Sequence, residues 1–292
     1  MRSAYARAWS LTIRAIRGHQ APPGPFGRGE MVVKWCRFIH GGTIGHGVVE
    51  DDRIRAAQGS PFESPGFTGA AIPLAEVRLL PPTLPFTFFC VGFNYRAHVL
   101  HSQAKGSAAA RMPERPEVGY RANNALIGHG ETIIIPADCP GDVEAEGELV
   151  AVIGRKVRHC SRTEAEAAIF GWTIGNDVSA REWQRNDRTF WRAKNADTFK
   201  PMGPWIITDV DPKRSTTRVG VNGRTACEFA TGDMIFDAVD YIVEISRYIT
   251  LHPGDVLWMG AESTVKIAPG DAVDVEISGI GTLCNTVAAE KR

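Results

Sequence analysis

The chain lacks what would tie it to a membrane, a nucleic acid or a disulfide framework. No apolar run among its 292 residues reaches ten, whereas a bilayer-spanning helix needs about 20. Its 33 Lys and Arg are balanced by 33 Asp and Glu, so no global basic field draws it to nucleic acid or an anionic lipid surface. Its cysteines (Cys36, Cys90, Cys139, Cys160, Cys227 and Cys284) are scattered, with no CxxC pair. That spacing signals neither a zinc finger nor a CxxC redox site, and reduced thiols in a cytoplasmic setting are the expectation. There is no Walker loop, no GxGxxG after a strand and no GxSxG elbow, which argues against phosphoryl transfer and serine-type acyl-enzyme chemistry. No repeat, low-complexity tract or long linker interrupts the chain.

Acid is also missing from the start. Before Glu30 there is none, while Arg2, Arg7, Arg14, Arg17 and Arg28 are basic. An Arg-rich, acid-free start resembles an organelle transit peptide. The simpler expectation is that Met31 begins the folded chain and that residues 1–30 are an extension outside the fold. Residues 31–83 read as a small N-terminal β-rich subdomain. Val32 to Phe38 alternates, Gly41-Gly42 marks a turn, and Ile44 to Glu50 forms the return strand. Pro61 to Pro73, rich in Gly and Pro, reads as a loop. Residues 84–292 read as one larger domain.

In that domain Leu84 to Gly92 is an apolar strand that delivers Asn94, Tyr95 and His98 within a few residues, a common way to build a site. If residues 95–101 are helical, His98 and His101 share a face. The small polar residues 102–115 read as a mobile loop, a candidate lid. Glu164 to Phe170 reads as a helix capped by Ser161 or Thr163. Trp172 to Asp177 reads as a strand, and Val178 to Gln184 as a turn into a helix, with Arg181 and Gln184 on one face. Lys194 falls in a loop. Asn222-Gly223 is a hairpin signal. Thr231 is the expected cap of a helix whose apolar periodicity runs from Met234 to Ile245. Val273, Val275 and Ile277 alternate with polar residues, as in a half-buried strand.

The chemistry concentrates between Glu144 and Pro204. Carboxylates two apart on a strand point the same way, so Glu146 and Glu148 converge. Both run into the apolar stretch Leu149 to Gly154, and Asp177 closes a second apolar strand. Like charges that close demand a cation or a proton between them. Three carboxylates at the ends of strands entering a core make a candidate site for Mg²⁺ or Mn²⁺. A plain solvated acidic face is the competing explanation. Glu144 shares the parity but lies nearer the loop, and is expected to be a solvated neighbour.

Several motifs occur in a fixed order. They are Gly92-Phe93-Asn94-Tyr95 with His98; Glu146-Gly147-Glu148-Leu149; Asn176 to Arg181 with Gln184; Lys194, Asp197-Thr198-Phe199 and Gly203-Pro204; Asp233 to Phe236; and Pro253-Gly254-Asp255. This order resembles the fumarylacetoacetate hydrolase family over roughly residues 85–290. The resemblance implies an α+β, β-rich fold, the family's mixed β-roll with short helices, preceded by a small N-terminal β-rich subdomain. It implies a Mg²⁺ (or Mn²⁺, Ca²⁺) site made by Glu146, Glu148 and Asp177, and a homodimer. It also implies catalysis by His98, Lys194 and the residue at 101, and substrate contacts from Tyr95, Arg181 and Gln184. The implied reaction is hydrolysis of a C–C bond in a 2,4-dioxo acid of acylpyruvate, fumarylacetoacetate or fumarylpyruvate type, as in aromatic compound catabolism. His98 would activate water, and the metal would stabilise the departing enolate.

Three positions depart from the family's pattern. Hydrolytic members carry Glu three residues after the histidine, and here His101 stands there. The late Gly-Thr-Pro turn reads Gly260-Ala261-Glu262-Ser263, where Glu262 is a candidate replacement carboxylate. The usual Lys-Pro before the acidic strand reads Arg121-Ala122. The loss of the glutamate keeps open an isomerase, decarboxylase or hydratase of 2-oxo acids using the same metal. A non-catalytic scaffold is the third reading, and the intact acids and Lys194 argue against it.

Overall fold

The computed structural model of the protein describes residues 32–63, 65–104, 106 and 110–291. The extension expected over residues 1–30 and part of the expected 102–115 loop lie outside the described residues. The fold is β-rich with short helices, as expected. Among the described residues the strands form sheets of twelve, five and three.

The organising strand is Gly147–Ile153, buried along its whole length. Its apolar run from Leu149 to Ile153 follows from having a core on each side. Leu149, Ala151 and Ile153 pack with Val273, Val275 and Ile277 of the five-stranded sheet. Val150 and Val152 face the other way, toward Trp35, Val48, Phe88 and Trp258. The strand pairs antiparallel with Ile169–Asn176 on one side and Val256–Trp258 on the other. Parallel pairs, Val256–Trp258 with Phe88–Val91 and Gly281–Ala289 with Thr132–Ile135, make the architecture mixed.

The N-terminal strands are not separate from this sheet. Lys34–His40 pairs with Thr43–Glu50 through the expected hairpin and also with Lys200–Ile207, so the subdomain extends the twelve-stranded sheet. The stretch read as a Pro/Gly loop is instead largely the edge strand Gly66–Pro73, paired to Arg53–Gln58. Its terminal proline and its glycines are tolerated because an edge strand leaves one row of donors unpaired. Phe67 stacks on Trp35 at 6.0 Å and carries the Arg55 guanidinium over its ring at 3.8 Å, contacts that outweigh the local turn propensity.

Other elements shift from their expected places. Only Phe88–Val91 of the 84–92 stretch pairs as a strand. The following helix spans Arg96–Ala104, so residues 102–104 belong to it rather than to a loop. Ser161 caps Arg162–Ala168 through a capping box with Glu164. Thr231 caps nothing. It is buried, with its hydroxyl on Thr217 at 2.7 Å and its carbonyl taken by Tyr95. The helix begins later, at Ala238–Ser246, capped by Asp237 in a box with Asp240. Asn222 and Gly223 both have positive φ, the backbone of a two-residue hairpin, between Thr216–Val221 and Arg224–Ala230. No helix among the described residues is long and apolar enough to cross a membrane.

One close approach ties the core to the acids. Gly175 lies opposite Glu148 in the ladder, and a Cβ there would meet the Trp258 ring at 2.6 Å. We predict that Gly175→Ala destabilises the protein by about 1–3 kcal/mol through overpacking, read as a lower urea midpoint at unchanged slope. An unchanged midpoint would show that Trp258 yields freely.

Candidate metal centre

The site grows out of strand register. Gly147 pairs with Asn176, so the residues one step beyond, Glu146 and Asp177, face each other across the end of the ladder. The Asp177 N–H donates to the Glu146 carbonyl at 2.9 Å. Glu148, two residues on, returns to the same side. All three carboxylates are buried, and an oxygen from each lies within 4.8 Å of the others. The sequence parity therefore holds, although the acidic run is split into the strands Val143–Ala145 and Gly147–Ile153 with Glu146 at the break.

Buried like charges have to be compensated, and four cations do most of it. Arg121 grips Asp177 with two nitrogens, at 2.8 and 3.3 Å. Lys200, fully buried, reaches the Asp177 Oδ1 at 2.7 Å. Lys194 bridges the Asp177 Oδ2 at 2.7 Å and the Glu146 Oε1 at 3.2 Å. Arg181 donates to Glu146 and, at 2.5 Å, to Glu144. Glu144 is thus a half-buried partner of Arg181 rather than a solvated neighbour. Lys194 sits on the short helix Trp191–Asn195, not in a loop, and that helix buries it.

The three acids titrate apart. Burial raises all three. At Asp177 the Arg121, Lys194 and Lys200 charges outweigh burial and hold it well below the carboxylate range. At Glu146 burial is outweighed by Lys194 and Arg181, and the carboxyl is lowered. Glu148 is pushed up to about 8, first by burial and then by the Asp177 and Glu146 charges. It takes a backbone N–H from Gly260 at 2.8 Å and, among the described residues, makes no ion pair. This acid is under-compensated at the centre of an oxygen-donor cluster, so the residues fit a hard divalent cation.

The other expected residues divide. His98 is half-buried at this cluster. Its Nδ1 lies 2.8 Å from the Ala261 carbonyl, and its ring packs edge-on to Phe93. A carbonyl only accepts, so Nδ1 carries the proton and Nε2 keeps its lone pair. Burial, the largest influence, lowers its pKa against the opposing charge of Glu146. Gln184 accepts from Arg181 at 2.6 Å, joining the cluster's rim. His101 is exposed on the helix Arg96–Ala104, so it does not stand behind His98. Tyr95 is turned inward. It is fully buried, with its hydroxyl donating to the Thr231 carbonyl at 2.9 Å and its ring against Phe229, so it lies in the packing rather than facing the carboxylates. Glu262 lies near Tyr95 and Asp233, and the Asp233 charge acts on it.

Sequence reasoning passed over Lys200 and the Asp177 clamp of Arg121. The signal for Lys200 was a lysine opening an otherwise apolar strand, Lys200–Ile207. A cleft of about 480 Å³ lined by Leu79, His129, Glu131 and Trp205 shares no residue with the cluster. Chemistry rather than concavity marks the site.

Glu148 must lose its proton to ligate a cation. Its raised pKa means that protons compete below about 8. Mn²⁺ affinity should therefore rise about tenfold per pH unit through neutrality and level off above that value. Calorimetric titration at several pH values checks this, and a flat profile from pH 6 to 9 would remove Glu148 from the ligand set.

Comparisons with known proteins converge. Residues 87–288 match the family described as fumarylacetoacetate (FAA) hydrolase, C-terminal. Residues 33–82 match the one described as Rv2993c-like, N-terminal. The chain is 42% identical over 231 residues to Protein Rv2993c of Mycobacterium tuberculosis, covering 78% of this chain and 84% of that one. It is 33% identical over 229 residues to the mitochondrial oxaloacetate tautomerase Fahd2a of Rattus norvegicus, covering 74% and 71%. Among solved structures, the 5-carboxymethyl-2-hydroxymuconate delta-isomerase of Mycobacterium smegmatis superposes with a TM-score of 0.80 at 38% identity, over 88% of this chain and all (100%) of that one. Maleylpyruvate hydrolase of Sphingobium sp. SYK-6, in complex with manganese(II) and pyruvate, gives 0.72 at 26%, over 88% and 100%. The matched span runs from the strand that delivers His98, through the acids and Lys194, almost to the end of the last strand, and the chain belongs to the fumarylacetoacetate hydrolase family.

Proposed function

We propose that this protein is a divalent-metal-dependent isomerase that interconverts the enol and keto forms of a 2-oxo dicarboxylic acid of about the size of oxaloacetate. The observation that carries this reading is the setting of His98, whose Nδ1 proton is held by the Ala261 carbonyl, with no carboxylate of the described residues behind it. A carbonyl fixes the tautomer and the ring orientation. It supplies no negative charge to stabilise the imidazolium that water activation would create. Moving a proton between carbon and oxygen asks less. The imidazolium it forms hands its proton back to the same substrate, and burial lowers the His98 pKa, which favours the neutral base.

Glu146, Glu148 and Asp177 would hold Mg²⁺ or Mn²⁺ (Ca²⁺ has the same oxygen preference), which supplies Lewis-acid polarisation of the 2-oxo acid's oxygens when bound. Lys194 places a positive charge beside them, where negative charge develops on the enol oxygen. Arg181 and Gln184 line the rim, joined to each other and to the acids. The tautomerase and delta-isomerase relatives support the same class by name.

Hydrolysis of an acylpyruvate-type C–C bond is the second reading. It is favoured by the lone pair left on His98 Nε2 and by the maleylpyruvate hydrolase neighbour. Product analysis separates the two. With Mn²⁺ and freshly dissolved oxaloacetate enol, the protein should speed loss of enol absorbance without releasing a second acid. Release of a cleavage product from an acylpyruvate at a comparable rate would move the assignment to hydrolysis.

His98→Ala should slow enol loss by about 100-fold or more and leave Mn²⁺ affinity near the parent value. His101→Ala should leave the rate within about twofold, because its side chain stands in solvent. A large loss in His101→Ala would restore a paired-residue mechanism.

A further inference from the structure

Every lone pair of Asp177 is in use. A carboxylate offers about four acceptor sites. Oδ1 takes Lys200 and the Arg121 Nε, and Oδ2 takes Arg121 and Lys194. A cation that comes to Asp177 has to take one of these places, and the three present partners are not equally bound. Lys200 is also anchored to the carbonyls of Val178 at 2.9 Å and Phe199 at 2.8 Å. Arg121 is also anchored to the Tyr120 carbonyl at 3.2 Å and to the Cys90 sulfur at 2.9 Å. Lys194 has no such anchor among the described residues. Its ammonium touches only Glu146 and Asp177, on a four-carbon stem from a five-residue helix.

Lys194 also stands where an incoming ion would go, between two of the three carboxylates of the cluster. Glu146 reinforces this. Its Oε1 receives Lys194, Arg181 and the Ser179 hydroxyl together, so it too gains a free acceptor site if the ammonium leaves. A divalent ion and an ammonium a few ångströms apart repel strongly in a buried site.

We infer that Lys194 is the cluster's own exchangeable counter-ion: loading of a divalent cation displaces its ammonium from Glu146 and Asp177. This rests on the reading of the three acids as a divalent-cation site. The exchange has two consequences. Glu146 and Asp177 stay paired before loading, so their burial does not depend on the ion. The displaced ammonium is then free to meet an anionic oxygen of the substrate, so metal loading and the placement of Lys194 become one event.

The test uses Mn²⁺ as the probe and the full chain. In a crystal of the parent protein soaked in MnCl2, the anomalous signal should lie among the three acids. The Lys194 nitrogen should then lie more than about 4 Å, the ion-pair limit, from at least one of Glu146 and Asp177. In calorimetry, Lys194→Met should bind Mn²⁺ about tenfold tighter or more, because no counter-ion has to leave. Arg121→Met, which also removes one positive charge from Asp177, should show no comparable gain. Mn²⁺ bound among the acids with both Lys194 contacts intact would overturn the exchange. So would equal gains in the two variants, which would reduce the effect to net charge. No Mn²⁺ binding by the parent protein at any pH would instead remove the divalent-site reading on which the exchange rests, a separate outcome from either.

Discussion

Asp177 is the point on which the site depends. It is one carboxylate, almost wholly buried, gripped by Arg121, Lys194 and Lys200. Removing one partner of a buried pair of this kind costs about 3–5 kcal/mol, because a charge is left without compensation. Nothing in the Asp177 neighbourhood is therefore free to vary alone. Arg121 comes from the chain after Val118–Tyr120, Lys194 from a one-turn helix and Lys200 from the first residue of a sheet strand. One carboxylate thus gathers three separate segments. Glu146 gathers a fourth through Arg181.

The sheet makes this crowding possible. A strand buried on both faces gives the acids a rigid floor, and its register sets Glu146 opposite Asp177 without help from side chains. Gly175, opposite Glu148, leaves room for the Trp258 ring on the same face of the ladder. Packing and charge are coupled here. The apolar core holds the backbone still, and the still backbone forces like charges together. Cations then have to follow, and the place held by Lys194 is the one proposed for exchange with a divalent ion.

In the proposed reaction His98 is the base. With His101 in solvent and no charged partner in line, its orientation comes from the backbone of Gly260–Ala261. The same turn donates the Gly260 N–H to Glu148. One short segment therefore sets both the base and the acid with the highest pKa of the three. A change at Ala261 would reach the proton-transfer step and the cation site together.

Much was legible before any coordinates. Period-two spacing put Glu146 and Glu148 on one face, Asn222-Gly223 announced a hairpin, and Ser161 or Thr163 announced a helix start. The motif order from Gly92 to Asp255 pointed to the family. Each of these is local, or is a sum of local signals, and the sequence by itself determined them. Other features were decided by contacts between residues far apart in the chain. The Pro/Gly-rich stretch before Pro73 became a strand because Phe67 found Trp35 and Arg55. Thr231 gave up its cap role to bond Thr217 and Tyr95. Tyr95 turned inward, and His101 outward, because the helix Arg96–Ala104 has one buried face and Val99 occupies it. That Arg121 and Lys200 share Asp177 could not be read from positions 56 and 23 residues away from it. Sequence spacing sets which side of an element a residue is on; only the tertiary structure decides what stands opposite, and in a buried polar site the opposite charge sets the chemistry.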